Sequence, residues 1–215
     1  LIDRIRAQIN DKRQYAQLRV VEEMCAGERF GVDKLGSEAT AAAIDCAALW
    51  TRYQEMLRLA PVELYYCGSA APERVRQALS AILAELPQGA ARTAPGRPAR
   101  RQAPDVPRLV EEAMDVTQGK LSLGLRTGID AWDADYPALT LVNAIYGGTT
   151  TSKLFLNVRE RLSLCYYASS GLMKYKDVML VSSGVEFDRV EQAKTEILAQ
   201  LDQCRTGAFG EEELE

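Results

Sequence analysis

Apolar residues recur at helical spacing from the first residue, at Leu1, Ile5 and Ile9, and good helix formers fill 15–25 and 40–59. Residues 1–59 therefore predict a run of helices, broken where Gly27, Gly31 and Gly36 interrupt the pattern. The period then changes. Val62 to Cys67 alternates and carries two tyrosines, the mark of a strand, and Gly68 ends it. Helical spacing resumes at Pro72, a favoured first-turn position, and passes through Val75, Leu79, Ile82 and Leu83 to residue 86. Further on, 109–116 and 120–126 predict two strands joined by a tight turn at Gln118-Gly119. Helices are expected at 137–146 and 152–162, with Gly147-Gly148 as a turn between them. Strands at 165–173 and 178–185 flank the polar turn 174–177, and 187–204 reads as an amphipathic helix with Val190, Ile197, Leu198 and Leu201 towards one side.

This order predicts an α+β fold, a mostly antiparallel sheet with helices on one face. The periodic pattern lapses between 87 and 107, which hold five of the eight prolines together with Gly89 and Gly96. That stretch reads as a linker, giving an expected organisation of 1–86, linker 87–107, and 108–215 as parts of two related halves. Arg92, Arg97, Arg100 and Arg101 make the linker basic, but without interleaved aromatics a solvated tether is preferred over a contact with RNA or an acidic partner.

Composition narrows the function classes. With 47% hydrophobic and 26% charged residues, the 215-residue chain has the make-up of a folded domain. A net charge of -4 offers no general attraction to nucleic acid or anionic membrane, so neither partner is expected. No apolar run is long enough to span a bilayer, and the opening residues do not form a signal peptide, so the expected location is cytoplasmic. Cys25, Cys46, Cys67, Cys165 and Cys204 are widely spaced with no C-x-x-C pair, and most of them are expected to be buried, reduced thiols. Both ends lie inside helical patterns, which suggests an internal piece of a longer protein.

The run from Gly147 to Tyr167 (GGTTTSKLFLNVRERLSLCYY) carries more specific information. It resembles the second-half signature of M16, or pitrilysin-type, peptidases with the LuxS/MPP-like fold: a glycine-rich turn, a helix containing Leu-Phe and Arg-Glu, and a Gly/Cys-Tyr pair opening the next strand. The runs 10–16 (NDKRQYA), 23–25 (EMC) and 118–124 (QGKLSLG) are similar to the non-catalytic YfmF-type branch, associated with the aminopentanol modification of elongation factor P. The resemblance implies two α+β halves, joined by the linker, that close around a polypeptide.

Active M16 peptidases bind zinc through an inverted H-x-x-E-H motif and a downstream glutamate. This chain contains no histidine. The downstream ligand would fall near Asp3-Arg4-Ile5, just before Asn10-Asp11-Lys12, and no glutamate stands there. The family zinc site is therefore expected to be absent, with no catalytic residue and no cofactor here. An active peptidase with its zinc motif upstream, and a structural scaffold subunit, remain the alternatives.

The resemblance also implies a role for Arg159 and Tyr166, seven positions apart, as the arginine and tyrosine that hold substrate across the chamber. A guanidinium offers planar donors to peptide carbonyls, and a phenol can donate to a carbonyl oxygen as negative charge develops on it. From the residues alone, Arg159 reads instead as an exposed helix residue paired with a nearby acid, and Tyr166 as strand packing; only the resemblance brings the substrate-contact reading level with this one. The implied partners are a polypeptide and a zinc-bearing M16 homologue. Trp50, Tyr65 and Tyr66 are expected to pack in a core or half-buried rather than line a peptide cleft.

Overall fold

The computed structural model describes residues 1–86, 96–97 and 99–210. These form two compact units, Leu1–Ser37 with Pro98–Glu215, and Glu38–Arg97. The units are groupings by contact, a different division from the homologous halves expected at 86 and 108. Arg92 and most of the proline-rich stretch lie outside the described residues.

The larger unit opens with α1 (Ile2–Ala7), a turn of 3₁₀-helix (Gln8–Asn10) and α2 (Lys12–Met24). Asp11 starts α2 by accepting hydrogen bonds from the main-chain N–H groups of Arg13 and Gln14 at 3.1 and 3.0 Å, satisfying two donors that a helix start leaves free. Past residue 98 come β1 (Gly119–Arg126), β2 (Cys165–Met173) and β3 (Val178–Val185), paired antiparallel in the order β1-β3-β2. Between β1 and β2 lie α6 (Tyr136–Asn143) and two π-helical segments, Ala144–Gly148 and Leu154–Arg161. The last helix is α7 (Val190–Thr206), ended by Gly207 in the left-handed conformation.

Strand alternation divides the sheet into two faces. Leu121, Leu123 and Leu125 of β1, Ala168 of β2 and Met179, Val181 and Val185 of β3 point to the core, where they meet Tyr146, Leu154, Val158 and the α7 residues Ala193 and Ile197. The elements after β1 thus put their helices on one face, as the order of elements predicts. The other face is covered by α2. Gly124 faces it, and a Cβ there would sit 2.5 Å from Met24 Sδ and 3.0 Å from Val20 Cγ1, so the missing side chain sets how closely α2 approaches.

A buried charge cluster closes this second face. Glu28, just past α2, accepts from Arg126 Nη2 at 2.5 Å and from Lys176 Nζ, while Arg126 Nη1 lies 3.7 Å from Asp177 Oδ1. All four side chains are less than a tenth exposed. Two positive and two negative charges balance, the condition under which burying them is tolerable. Lys176 also donates to the Ala99 carbonyl at 3.2 Å, and Arg100 pairs with Asp133 and Asp130. Arg100 and Arg101 thus pair with this unit's own acids while remaining exposed to solvent.

The smaller unit contains α3 (Glu38–Ala42), α4 (Cys46–Leu59), capped by Asp45, and α5 (Pro72–Ala84). Two expected strands are absent among the described residues. Neither 62–67 nor 109–116 joins a ladder, because alternation specifies an extended, two-faced segment but does not supply a neighbour to pair with. The expected turn at Gln118-Gly119 accordingly joins no hairpin. Trp50, Tyr65 and Tyr66 are exposed rather than packed in a core, and Cys46 and Cys67 are exposed free thiols; only Cys25 and Cys165 are buried.

Candidate functional site

Arg159 and Tyr166 both sit where regular backbone is interrupted. Arg159 belongs to the π-helical segment Leu154–Arg161, whose wider turn is closed by Leu162 N–H donating to the Asn157 carbonyl at 3.1 Å. Leu154 and Val158 fix one side of this segment in the core. Arg159 stays partly exposed, and its guanidinium lies 4.6 Å from the Phe155 ring centre. Isolated π-helical turns are a recurring device at functional sites, since they rotate side chains away from α-helical positions.

Tyr166 sits on a β-bulge. Cys165 pairs with Val185 and Tyr167 with Gly184, so two steps along β2 correspond to one along β3 and Tyr166 is the extra residue. Its neighbours go to the two faces: Cys165 is buried in the core, and Tyr167 turns to the α2 face, where Arg13 lies 4.2 Å from its ring centre. Tyr166 itself is 63% exposed. Burial pushes the Cys165 thiol up, as suits a side chain packed in the core.

The structure brings the two candidate residues together. Arg159 Nε donates to the main-chain carbonyl of Tyr166 at 3.0 Å, and Arg159 Nη1 pairs with Glu160 at 3.0 Å. The Tyr166 hydroxyl donates to Glu186 Oε1 at 2.6 Å. The hydrogen bond from Tyr166 to Glu186, and then the charge of that carboxylate, raise the phenol above its ordinary value, so it keeps its proton and its donor capacity at neutral pH. The Arg159–Glu160 pair is solvent-accessible and contributes about 0–1 kcal/mol, so the guanidinium can exchange partners.

Sequence reasoning missed the anchor of this region. Gly147, read as a turn residue, lies buried in the first π-helical segment, directly against β2. A Cβ there would come within 2.7 Å of the Ser170 main-chain nitrogen and of Leu154 Cδ1, so only glycine allows the segment to seat on the strand that carries Tyr166. Asp11, beside the expected position of a ligand, proves to be the α2 cap. Asp3 is an exposed residue of the first turn of α1.

The family model described as the peptidase M16 inactive domain matches residues 43–215. The chain belongs to the M16 peptidase family. Over 216 aligned residues, all of this M16 chain, it is 34% identical to the "Probable inactive metalloprotease YmfF" of Bacillus subtilis (strain 168). The chain covers 50% of that protein, about half the length of the curated relative it matches. A conserved protein from Enterococcus faecalis V583, known from its crystal structure, superposes with a TM-score of 0.85 at 28% identity, over 98% of this chain and 49% of the other. The peptidase M16 inactive domain from Pseudomonas fluorescens matches with a TM-score of 0.75 at 18% identity, over 99% and 51% of the two chains, a likeness of fold.

Zinc is the metal of active M16 peptidases, and the donors among the described residues do not fit it. Histidine is absent from the sequence, and among the described residues no group of three or more Cys, Asp or Glu is placed to hold an ion. No helix of the described residues is long and apolar enough to cross a membrane.

Proposed function

We propose that this M16 chain is part of a catalytically silent, cytoplasmic subunit that binds polypeptide and works beside a zinc-bearing M16 homologue. The observation that carries the reading is the pairing of Arg159 with the bulged Tyr166: two exposed donors, on two backbone irregularities, joined by one hydrogen bond. In the assembled chamber Arg159 turns from Glu160 to peptide carbonyls, and Tyr166 turns from Glu186 to the carbonyl oxygen next to the bond being cleaved. The carboxylates hold both donors in place until a peptide arrives, and because the contacts are exposed they are replaced at small cost.

A scaffold role is the second reading, favoured by the same two acids if Glu160 and Glu186 keep Arg159 and Tyr166 engaged permanently. The two are separated by replacing Tyr166 with a photocrosslinking phenylalanine analogue in the full-length protein and irradiating it with a labelled unfolded peptide and the zinc-bearing homologue. Labelling at residue 166 that the homologue enhances supports the substrate-contact reading. Labelling that is absent with and without the homologue overturns it in favour of the scaffold.

A further inference from the structure

The α2 side of the sheet holds polar groups left unsatisfied by the described residues. Strand register sets Lys120, Gly184 and Tyr167 in one row across β1, β3 and β2, and Ser122, Ser182 and Ser169 in the next. Ser182 is 2% exposed, and the hydroxyls of Ser122, Ser182 and Tyr167 are buried without a hydrogen-bond partner among the described residues. Orphaned hydroxyls of this kind are costly, and each calls for a group that completes its bonding.

Two cations converge on the first of these rows. The Tyr167 ring lies over Gly184, where a Cβ would sit 2.6 Å from Tyr167 Cε1, so it leans across β3 towards β1. The Arg13 guanidinium stands 4.2 Å from the ring centre and donates to Ser169 Oγ at 3.3 Å. Lys120 Nζ stands 5.9 Å from the same ring centre and donates to the neutral amide of Gln118. Neither cation forms an ion pair with a described carboxylate, and Asp11 uses its oxygens on the main-chain N–H groups of Arg13 and Gln14 and on Gln14 Nε2. Two like charges held over one ring repel each other, and the ring offsets only part of this.

We infer that Arg13, Lys120 and the Tyr167 hydroxyl form a carboxylate-binding site between α2 and the sheet. A carboxylate accepts up to four hydrogen bonds on its two oxygens, so one such group at the edge of the ring takes the remaining N–H groups of Arg13, the Lys120 ammonium and the phenol proton together. Water satisfies the hydroxyl but leaves both positive charges uncompensated. The carboxylate belongs to a polypeptide, as an Asp or Glu side chain or as the C-terminus. That source rests on the polypeptide-binding reading above, while the anion site stands on its own geometry.

The test is an anisotropy titration of the full-length protein with labelled peptides of one sequence: glutamate-containing with a free C-terminus, the same with glutamine for glutamate, and the same with an amidated C-terminus. The first is expected to bind about tenfold more tightly than whichever counterpart lacks the recognised carboxylate, which identifies its source. The preference should vanish in Arg13→Gln combined with Lys120→Gln and survive in Lys120→Arg. It should also fall in Tyr167→Phe, which changes no charge and so separates hydrogen bonding from general attraction. Arg159→Ala should weaken all the peptides and leave their ratio unchanged. Equal affinities in the wild type, or a preference that persists in the double variant, overturn the inference. If no peptide binds, the polypeptide reading fails and acetate decides the anion site: the Arg13 Nε and Lys120 Nζ resonances should shift with acetate and not with acetamide, and the absence of that difference overturns the site.

Discussion

Arg159 Nε donates to the carbonyl of Tyr166 at 3.0 Å, linking a π-helical segment to a β-bulge across the turn at 162–164. The bond sets the two candidate substrate donors in fixed relation. Arginine can make it and still present its terminal nitrogens elsewhere, because the guanidinium carries five N–H groups in a planar fork; an ammonium cannot bridge in this way.

Arg159→Ala and Tyr166→Phe should therefore separate function from stability. Both side chains are outside the core, so each substitution is expected to change unfolding free energy by no more than about 0.5 kcal/mol. Each is expected to lower peptide turnover by the assembled enzyme about 10²-fold, the scale of losing one donor to a developing oxyanion, and Arg159→Lys should recover little of it. Chemical denaturation and steady-state kinetics on the same preparations check the split.

The phenol of Tyr166 gives a spectroscopic handle. Its proton is held by Glu186, and its ionisation is raised above that of an ordinary tyrosine. Difference absorbance during alkaline titration should lose a late-titrating component in Tyr166→Phe. In Glu186→Gln, with the charge removed, that component should move towards lower pH.

The buried cluster should dominate acid sensitivity. Burial pushes the Glu28 carboxyl up, but the hydrogen bonds and charges of Lys176 and Arg126 outweigh it and hold the group below the usual carboxylate range. A folded-state value below the unfolded one stabilises the protein above the unfolded carboxylate value, and the contribution is lost as pH falls through the folded value. Wild type should lose stability through this acidic window more steeply than Glu28→Gln. Glu28→Ala, which leaves Lys176 and Arg126 buried without their shared acid, is expected to cost about 3–5 kcal/mol in denaturant unfolding at pH 7.

Gly147→Ala tests the seat of the site. Its Cβ would meet Ser170 Oγ at 2.6 Å and the Ser170 main-chain nitrogen at 2.7 Å, and backbone cannot yield as a flexible side chain does. The expected cost is about 1–3 kcal/mol, with a loss of turnover larger than the stability change explains, because the strand bearing Tyr166 shifts. Thermal denaturation beside the activity assay measures both.

Much of this fold is legible in the sequence where local pattern and tertiary partner agree. Strands 165–173 and 178–185 are found as read, because alternation on both sides of the 174–177 turn is matched by a sheet that needs both. The segments 62–67 and 109–116 carry the same alternation without a described neighbour, and alternation alone does not make a ladder. The π-helical turns are not legible: helical spacing marks 152–162 as helix without fixing which carbonyl each N–H reaches, and Gly147-Gly148 reads as a turn. The bulge did leave a trace: Cys165 and Ala168 are both buried, three apart, where strict alternation would put them on opposite faces. The charge cluster left none, because Glu28, Arg126 and Lys176 are separated by whole elements.

The central claim is that this subunit supplies substrate contacts to a zinc site it does not itself contain. Peptidase activity of the full-length protein with zinc, alone and mixed with an H-x-x-E-H homologue from the same genome, tests it most directly. The account predicts cleavage only in the mixture, sharply reduced by Arg159→Ala or Tyr166→Phe. Zinc-dependent cleavage by the protein alone, or a mixture indifferent to both substitutions, would contradict it.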